Sequence, residues 1–263
     1  MNFIKSLWKK RKLSSHKGDN GKLLIIGGSK DYIGALCLAG IAALRSGVDV
    51  VTIAAPEKVA WAVNCLSPDL ITFKLKGEKI NKNHVKALLK LSQKFDAVLV
   101  GNGLGMKSKA FVNEFVKNCK KPLIIDADAI KCVNQPKNAI LTPHRKEFEV
   151  YSGKKLTNNL KKDIEIVKKA AKTNVILLKG KVDIVATKDK VKLNKKGNPG
   201  MTKAGTGDVV AGLCAGLVAQ GMDKFNAAYE AVKVVTTIGD KMKKNKGYSF
   251  IASDLLRDIK QYS

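Results

Sequence analysis

The feature that most constrains the fold is a set of short hydrophobic runs that are continuous rather than alternating. Such runs are typical of strands covered on both faces, as in a parallel sheet between two layers of helices. The runs are 22–27 (KLLIIG), 48–55 (VDVVTIAA), 96–101 (DAVLVG), 122–126 (PLIID), 139–142 (AILT) and 175–179 (VILLK). Helix-like stretches separate several of them, at 34–44, 84–94, 109–117 and 160–171. This alternation predicts an α/β fold with a mainly parallel central sheet.

The C-terminal third departs from this alternation. Residues 182–193 (VDIVATKDKVKL) form two short runs around Lys188 and Asp189, which is typical of a hairpin. Helical stretches follow at 208–220, 224–241 and 253–261. No linker rich in Pro, Gly or Ser divides the chain. We therefore expect a single domain over residues 21–263, preceded by a basic leader at residues 1–20.

Composition excludes several classes of protein. Hydrophobic residues make up 45% of the chain, which is enough for a buried core and excludes disordered and collagen-like chains. No run reaches the roughly 18 to 20 apolar residues of a membrane helix, and the N-terminal segment lacks the apolar stretch of a secretory signal. The five cysteines are widely spaced without a CxxC pair, which argues against a disulfide framework or a zinc site. These observations predict a cytoplasmic protein with no membrane partner.

The charge of the chain is strongly positive. A net charge of +27 favours anionic ligands. It would also support nonspecific nucleic-acid binding, so a nonenzymatic basic nucleic-acid-binding protein stays a remote alternative. The excess is nearly all lysine, with only four arginines, and aromatic residues make up 6%. Because proteins that read nucleic acids usually depend on arginine, we expect no specific nucleic-acid partner.

The segment that points most strongly to chemistry is 198–212 (NPGMTKAGTGDVVAG), which precedes a long helix of small apolar residues. Its glycines permit a tight turn, and the free amides at the start of a helix form an anion site. Asp208 falls in the first turn of that helix, where it suits an N-cap. The segment is either a simple capped turn or an anion hole for a transferring phosphoryl group. In the second case Asp208 is the base that activates a hydroxyl.

Further segments follow predicted strands, at the edge of a parallel sheet where ligands gather. They are 27–34 (GGSKDYIG), 101–105 (GNGLG), 126–130 (DADAI), 141–147 (LTPHRKE) and 178–183 (LKGKVD). The first lacks a GxGxxG fingerprint, so a Rossmann dinucleotide site is not supported. Asp126 and Asp128 either bind a metal-bridged phosphate or a ribose hydroxyl, or cap the next helix. Together with His144 they do not complete a zinc set, and Lys179 is placed to pair with a nucleotide phosphate.

Taken in order, these motifs resemble those of the C-terminal, ribokinase-like domain of the YjeF family, the ADP-dependent NAD(P)H-hydrate dehydratase. The resemblance covers roughly 17–256 and is carried by KGDNGKLLIIGGSKDYIGA, GNGLG, DADAI, LTPH..EF, LKG and NPGMTKAGTGDVVAG. It implies a three-layer α/β/α sandwich and a hydro-lyase that repairs hydrated NADH or NADPH. The 6-hydroxyl is phosphorylated and phosphate is eliminated, which returns the reduced cofactor.

The resemblance also implies site residues, cofactors and assembly. Positions that line hydrated NADH or NADPH are Ala35, Gly105, His144 and Asp208, with Asp208 as the catalytic base. Positions that bind the nucleotide are Lys179, Gly180, Lys181, Val182, Asp183, Gly205, Thr206 and Gly207. The phosphoryl donor is expected to be ADP, as in bacterial and archaeal members, and Mg²⁺ is expected with ligands that the sequence does not assign. A homo-oligomer, as a tetramer, is expected because many members form one.

The chain departs from the family pattern at one loop, and one other activity shares its motifs. Between His144 and Glu147 the family commonly has Pro-Gly, whereas this chain has Arg145-Lys146, which predicts a more basic loop near a phosphate-rich ligand. A kinase of the same fold that acts on a vitamin alcohol such as hydroxyethylthiazole would share the Gly-Asp anion hole. The GNGLG and LTPH..EF segments favour the dehydratase.

Overall fold

The structure is a computed structural model that describes residues 11–259. At its centre lies one nine-stranded sheet. The strands are β1 (Lys22–Ile26), β2 (Val50–Pro56), β3 (Ile71–Leu75), β4 (Ala97–Val100), β5 (Leu123–Ile125), β6 (Ala139–Leu141), β7 (Val175–Leu178), β8 (Asp183–Ala186) and β9 (Val191–Asn194). Their order across the sheet is β3-β2-β1-β4-β5-β6-β7-β8-β9. The pairs from β3 to β7 are parallel, whereas β8 and β9 are antiparallel to their neighbours. The mainly parallel sheet and the hairpin are thus confirmed.

Helices cover both faces of the sheet. They are α1 (Ile33–Arg45), α2 (Glu57–Leu66), α3 (Val85–Ser92), α4 (Lys109–Asn118), α5 (Asp128–Cys132), α6 (Arg145–Ser152), α7 (Leu160–Ala171), α8 (Thr206–Ala219), α9 (Lys224–Lys246) and α10 (Ala252–Asp258). Among residues 11–259, no helix is both long and apolar enough to cross a bilayer. The predicted helix at 253–261 corresponds to α10, and its last two residues lie outside the described part of the chain.

The core lies in layers above and below the sheet because neighbouring residues of each strand point to opposite faces. Leu23 and Ile25 of β1 pack with α1, α8 and α9, whereas Leu24 and Ile26 pack on the other face with α3 and α4. Both pairs are fully buried. This two-sided burial explains why the strand runs are continuously hydrophobic.

Close packing of α1 against α8 fixes where α8 begins. A Cβ atom at Gly212 would lie 2.1 Å from the backbone oxygen of Ala39, and one at Gly216 would lie 2.2 Å from Oγ of Ser46. Only glycine permits this approach of two helix backbones. The small residues of α8 therefore hold its first turn at the carboxyl edge of the sheet, beside the ends of β4 and β5.

Part of the predicted leader is packed against the opposite, amino edge of the sheet. The backbone N–H groups of Gly18 and Asn20 donate to Oδ2 of Asp49, and Arg11 lies 2.9 Å from Oδ1. Burial would raise the pKa of Asp49, but these hydrogen bonds and Arg11 outweigh it, so the pKa is lowered. Residues 1–10 lie outside the described part.

Four elements were not predicted: β3, α2, α5 and α6. The strand β3 lies at the edge of the sheet, where Ile71 and Phe73 are partly exposed and polar residues alternate with them. It therefore lacks the continuous hydrophobic run of a central strand. Helix α5 has only five residues, too few for a clear 3.6-residue pattern. Helix α6 buries only Glu147 and Phe148, so it lacks an apolar stripe.

Candidate active site

The carboxyl ends of β1, β4, β5, β6 and β7 bring the motif segments to one edge of the sheet. Glycine is required where two of these segments meet. Gly101 has φ +128°, and a Cβ there would lie 1.9 Å from the backbone oxygen of Asp126. Ala127, which follows Asp126, has φ +51°, a conformation uncommon for residues other than glycine. The chain thus turns Asp126 and Asp128 toward different partners.

Three side chains form the centre of the site: Asn102, Asp126 and Asp208. Nδ2 of Asn102 donates to Oδ2 of Asp126 at 2.9 Å and to Oδ1 of Asp208 at 2.6 Å. Asn102 is fully buried and Asp126 is 2% exposed. Thr142, at the end of β6, donates from Oγ1 to Oδ1 of Asp126 at 2.6 Å. Two carboxylates are therefore held together by the amide of one asparagine.

A lysine balances this negative charge. Nζ of Lys179, at the end of β7, lies 3.1 Å from Oδ1 of Asp126. Burial by itself would lower the pKa of Lys179, but the carboxylates of Asp126, Glu147 and Asp208 together outweigh it, so the pKa is raised. A Cβ at Gly207 would lie 3.2 Å from the same nitrogen. The ammonium group therefore lies next to the first turn of α8.

The first turn of α8 corrects one detail of the prediction. The helix begins at Thr206 with Gly205 as its N-cap, in the left-handed conformation at φ +89°. Asp208 is the third residue of the helix and not its N-cap. The helix starts two residues before the predicted start at 208, because Gly205 takes the positive φ of the N-cap. In the described part of the chain, the N-cap of α8 makes no side-chain hydrogen bond. The N–H of Thr206 donates to the backbone oxygen of Lys203 at 3.3 Å, which leaves the N–H of Gly207 for an anion.

Asp208 has the properties of a base near neutral pH. Burial raises the pKa of Asp208 to about 7, and the charge of Asp126 adds to the effect. The hydrogen bond from Asn102 and the charge of Lys179 act in the opposite direction. A carboxylate with this pKa can accept a proton from a hydroxyl and later release it.

The loop from Lys179 to Asp183 is shaped by its own acidic residue. Oδ1 of Asp183 accepts from the N–H of Gly180 at 2.9 Å, and Oδ2 accepts from Asn194 at 2.8 Å. Burial raises the pKa of Asp183. The carboxylate of Asp183 is turned into the protein and supports the loop, whereas Lys181 and Val182 are at least partly exposed.

The positions expected to line the substrate lie around the same edge. Ala35 is half-buried in the first turn of α1, and Gly105 has φ +81° with its N–H donating to Asp128 at 3.0 Å. His144 is exposed and is the N-cap of α6, since its Nδ1 accepts from the N–H of Glu147. Arg145 contacts Asn158 and Glu149. Its guanidinium is thus engaged with these two neighbours.

Asn102 and Thr142 are site residues that the sequence did not single out. Thr142 directly follows β6, and Asn102 follows β4 after one glycine; both are buried despite being polar. A polar residue close to the end of such a strand was the available signal. In GNGLG the three glycines are the more conspicuous feature, and a single polar residue between them has no pattern of its own.

The described residues do not fit a site in which protein side chains alone hold Mg²⁺. Residues 11–259 contain no group of three or more His, Cys, Asp or Glu side chains that could hold a metal ion. Asp126 is already engaged with Asn102, Thr142 and Lys179. Proteins commonly bind Mg²⁺ through one or two carboxylates together with substrate phosphates. Any Mg²⁺ would therefore have to arrive largely through the phosphates of a nucleotide.

Comparison with known proteins gives a consistent family match. The sequence model described as NAD(P)H-hydrate dehydratase matches residues 23–261. The bifunctional NAD(P)H-hydrate repair enzyme Nnr of Methanocaldococcus jannaschii is 43% identical over 258 residues, which are 95% of this chain and 50% of that protein. The chain thus spans about half the length of the curated relatives it matches first. The ADP-dependent (S)-NAD(P)H-hydrate dehydratase of Nitrosopumilus maritimus is 35% identical, covering 98% of this chain and 93% of that protein.

Solved structures confirm the ribokinase-like, three-layer fold class. The ADP/ATP-dependent NAD(P)H-hydrate dehydratase of Bacillus subtilis, co-crystallised with ATP and Mg²⁺, has a TM-score of 0.83 and 28% identity over 97% of this chain and 94% of that one. A hydroxyethylthiazole kinase from Pyrococcus horikoshii has a TM-score of 0.62 at 14% identity, covering 92% of this chain and 88% of that chain, which shows the fold alone.

Proposed function

The chain belongs to the NAD(P)H-hydrate dehydratase family, and on that premise we propose that it catalyses the ADP-dependent dehydration of the S epimer of hydrated NADH or NADPH. The observation that carries the proposal is the position of Asp208. Its carboxylate, with a pKa of about 7, lies in the uncapped first turn of α8 and close to Lys179. A base and an anion site are thus adjacent, as phosphorylation of a hydroxyl requires.

The reaction starts with proton transfer to Asp208. As Asp208 takes the proton of the 6-hydroxyl, the hydroxyl oxygen bonds to the terminal phosphorus of ADP and AMP leaves. The N–H groups at the start of α8 and the ammonium of Lys179 stabilise the charge on the phosphoryl oxygens. Phosphorylation matters because hydroxide is a poor leaving group and phosphate is a good one. The ring nitrogen then expels phosphate, and loss of a ring proton restores the reduced cofactor.

The nucleotide lies between the loop from Lys179 to Asp183 and the segment from Gly205 to Gly207 in this proposal. Both segments flank Asp208, and Gly207 has room for a phosphate because it carries no side chain. The hydrated cofactor then approaches from the side of Ala35, Gly105 and His144. Mg²⁺ would accompany the nucleotide phosphates and neutralise part of their charge.

Several properties extend the proposal beyond the site. We expect ADP as the phosphoryl donor, in line with the name of the Nitrosopumilus relative. A homotetramer and a cytoplasmic location are expected from the family resemblance alone. Light scattering on the purified chain measures the oligomeric state directly.

The decisive experiment is a dehydration assay on the purified chain. Hydrated NADH is supplied with ADP or ATP in parallel, and the return of NADH absorbance is followed together with free phosphate. We expect both signals to rise in equal amounts, and faster with ADP. A stable phosphorylated alcohol without phosphate release would indicate a small-molecule kinase instead, and no turnover with either nucleotide would contradict the proposal.

The Asp208→Asn variant tests the base. Turnover should be lost while nucleotide binding, measured by calorimetry, survives, because the amide cannot accept the proton but leaves the backbone N–H groups in place. Asp163→Asn is the matched control, since Asp163 is a buried aspartate on α7 that accepts from Thr157, outside the site. Activity of Asp208→Asn close to that of the wild type would exclude Asp208 as the base.

A further inference from the structure

Asn102 is an unusual residue to find fully buried. Its Nδ2 donates hydrogen bonds to two carboxylates. Its Oδ1 is buried without a hydrogen-bond partner in the part of the chain that the structure describes. A buried carbonyl without a partner costs free energy. A smaller residue would avoid that cost, so the value of Asn102 lies in its amide nitrogen.

The amide nitrogen joins two residues that approach the site independently. Asp126 follows β5, whereas Asp208 lies in α8 and is 106 residues from Asn102 in sequence. Its two hydrogen atoms serve one carboxylate each, at 2.9 Å and 2.6 Å. Asn102 engages Oδ1 of Asp208 and so restricts the rotation of that carboxylate. In this scheme the substrate proton goes to Oδ2.

We propose that Asn102 is a positioning residue, which ties Asp208 to Asp126 through one amide nitrogen and so aims the second oxygen of Asp208 at the reacting hydroxyl. The inference rests on the proposed function for the identity of that hydroxyl, but the tie between the two carboxylates does not depend on it. Asn102 does not touch the reacting atoms in this scheme; it acts through Asp208.

The charged groups around Asp208 determine the sign of the expected effects. Asp126 faces it from β5 and Lys179 from β7, with Glu147 of α6 acting on Lys179. The neighbours of Gly205 from α1 and α10 are the apolar Leu38 and Ala252. Asn102 favours the ionised form of Asp208, so its removal should raise the pKa of Asp208. Removal of the negative charge at Asp126 should lower it.

The test is a titration of Asp208 by NMR of aspartate carboxyl carbons, with Asp208→Asn used to assign its signal. In Asn102→Ala we expect the midpoint to rise by about one pH unit and kcat to fall about ten-fold or more, with KM for ADP within about two-fold. In Asp126→Asn the midpoint should move down. Asn102→Ser loses at least one of the two hydrogen bonds and should shift the midpoint upward too, which provides a second variant if the alanine protein does not fold.

The matched control is Asn174→Ala. Asn174 is 2% exposed and donates to the backbone oxygen of Pro136, at the amino edge of the sheet away from the site. Its loss should reduce stability without moving the Asp208 midpoint. An unchanged midpoint in both Asn102 variants would overturn the proposal. A shifted midpoint in a protein that does not turn over hydrated NADH would support the positioning role and contradict only the proposed substrate.

Discussion

Lys179 is the single cation beside Asp126 in the site as described, so its replacement should be costly to the fold as well as to activity. Nζ lies 3.1 Å from Oδ1 of Asp126, whose side chain is 2% exposed, while that of Lys179 is 19% exposed. Lys179→Met retains most of the side-chain volume but leaves a buried carboxylate without its cation. Removal of one partner from such a pair costs about 3 to 5 kcal/mol.

The lower end of this range applies here because Asp126 keeps its hydrogen bonds from Asn102 and Thr142. We therefore expect a loss of about 3 kcal/mol in the free energy of unfolding. For a chain of this size each kcal/mol lowers Tm by about 2 to 4 °C, so Tm should fall by about 10 °C.

Urea unfolding at about pH 7 measures this loss, provided that the m-value stays constant. The double variant Lys179→Met/Asp126→Asn removes both charges, so its loss should be smaller than the sum of the two single losses by about 2 kcal/mol. Lys131→Met is the control. Lys131 contacts Asp128 in a partly exposed pair, which should contribute less than about 1 kcal/mol. Additive single losses, or a loss below about 1 kcal/mol for Lys179→Met, would refute the reasoning.

Other positions give independent tests of the site and the fold. Gly207→Val should weaken nucleotide binding about ten-fold by calorimetry, because its side chain would occupy the space of a phosphate. The fold should tolerate the change, since the Cβ meets only the flexible end of Lys179 at 3.2 Å. Unchanged affinity would place the nucleotide elsewhere. Gly212→Val should destabilise the protein by about 3 kcal/mol in a thermal melt, because α1 and α8 must separate where the Cβ would lie 2.1 Å from the oxygen of Ala39; an unaltered Tm would refute the close packing. Because burial raises the pKa of Asp208 to about 7, the folded state keeps a proton that the unfolded state releases. Wild-type stability should therefore fall between about pH 4 and about pH 7, by up to about 4 kcal/mol. In Asp208→Asn, the urea midpoint measured across this pH range should not show this fall. If the midpoints of the two proteins change with pH in parallel, the pKa of Asp208 is not raised.

The predictions that succeeded depended on local properties of the chain. The runs at 22–27 and 175–179 are continuously hydrophobic because each strand is covered on both faces, and they became β1 and β7. The hairpin at 182–193 was recognisable from its short runs and its polar turn. The edge strand β3 has no such run, since half of it faces solvent.

By itself, the sequence predicted which short segments form the candidate site: a glycine-rich turn before a helix of small residues, and the segments that follow the buried strands. Only the tertiary structure decided that Asn102, Asp126, Lys179 and Asp208 form one network. Hydrophobic pattern and glycine placement act over a few neighbouring residues and can be read along the chain. The network joins residues 53 and 106 positions apart, and it exists because the parallel strand order brings the ends of β4, β5 and β7 to one edge while α1 holds the start of α8 against them.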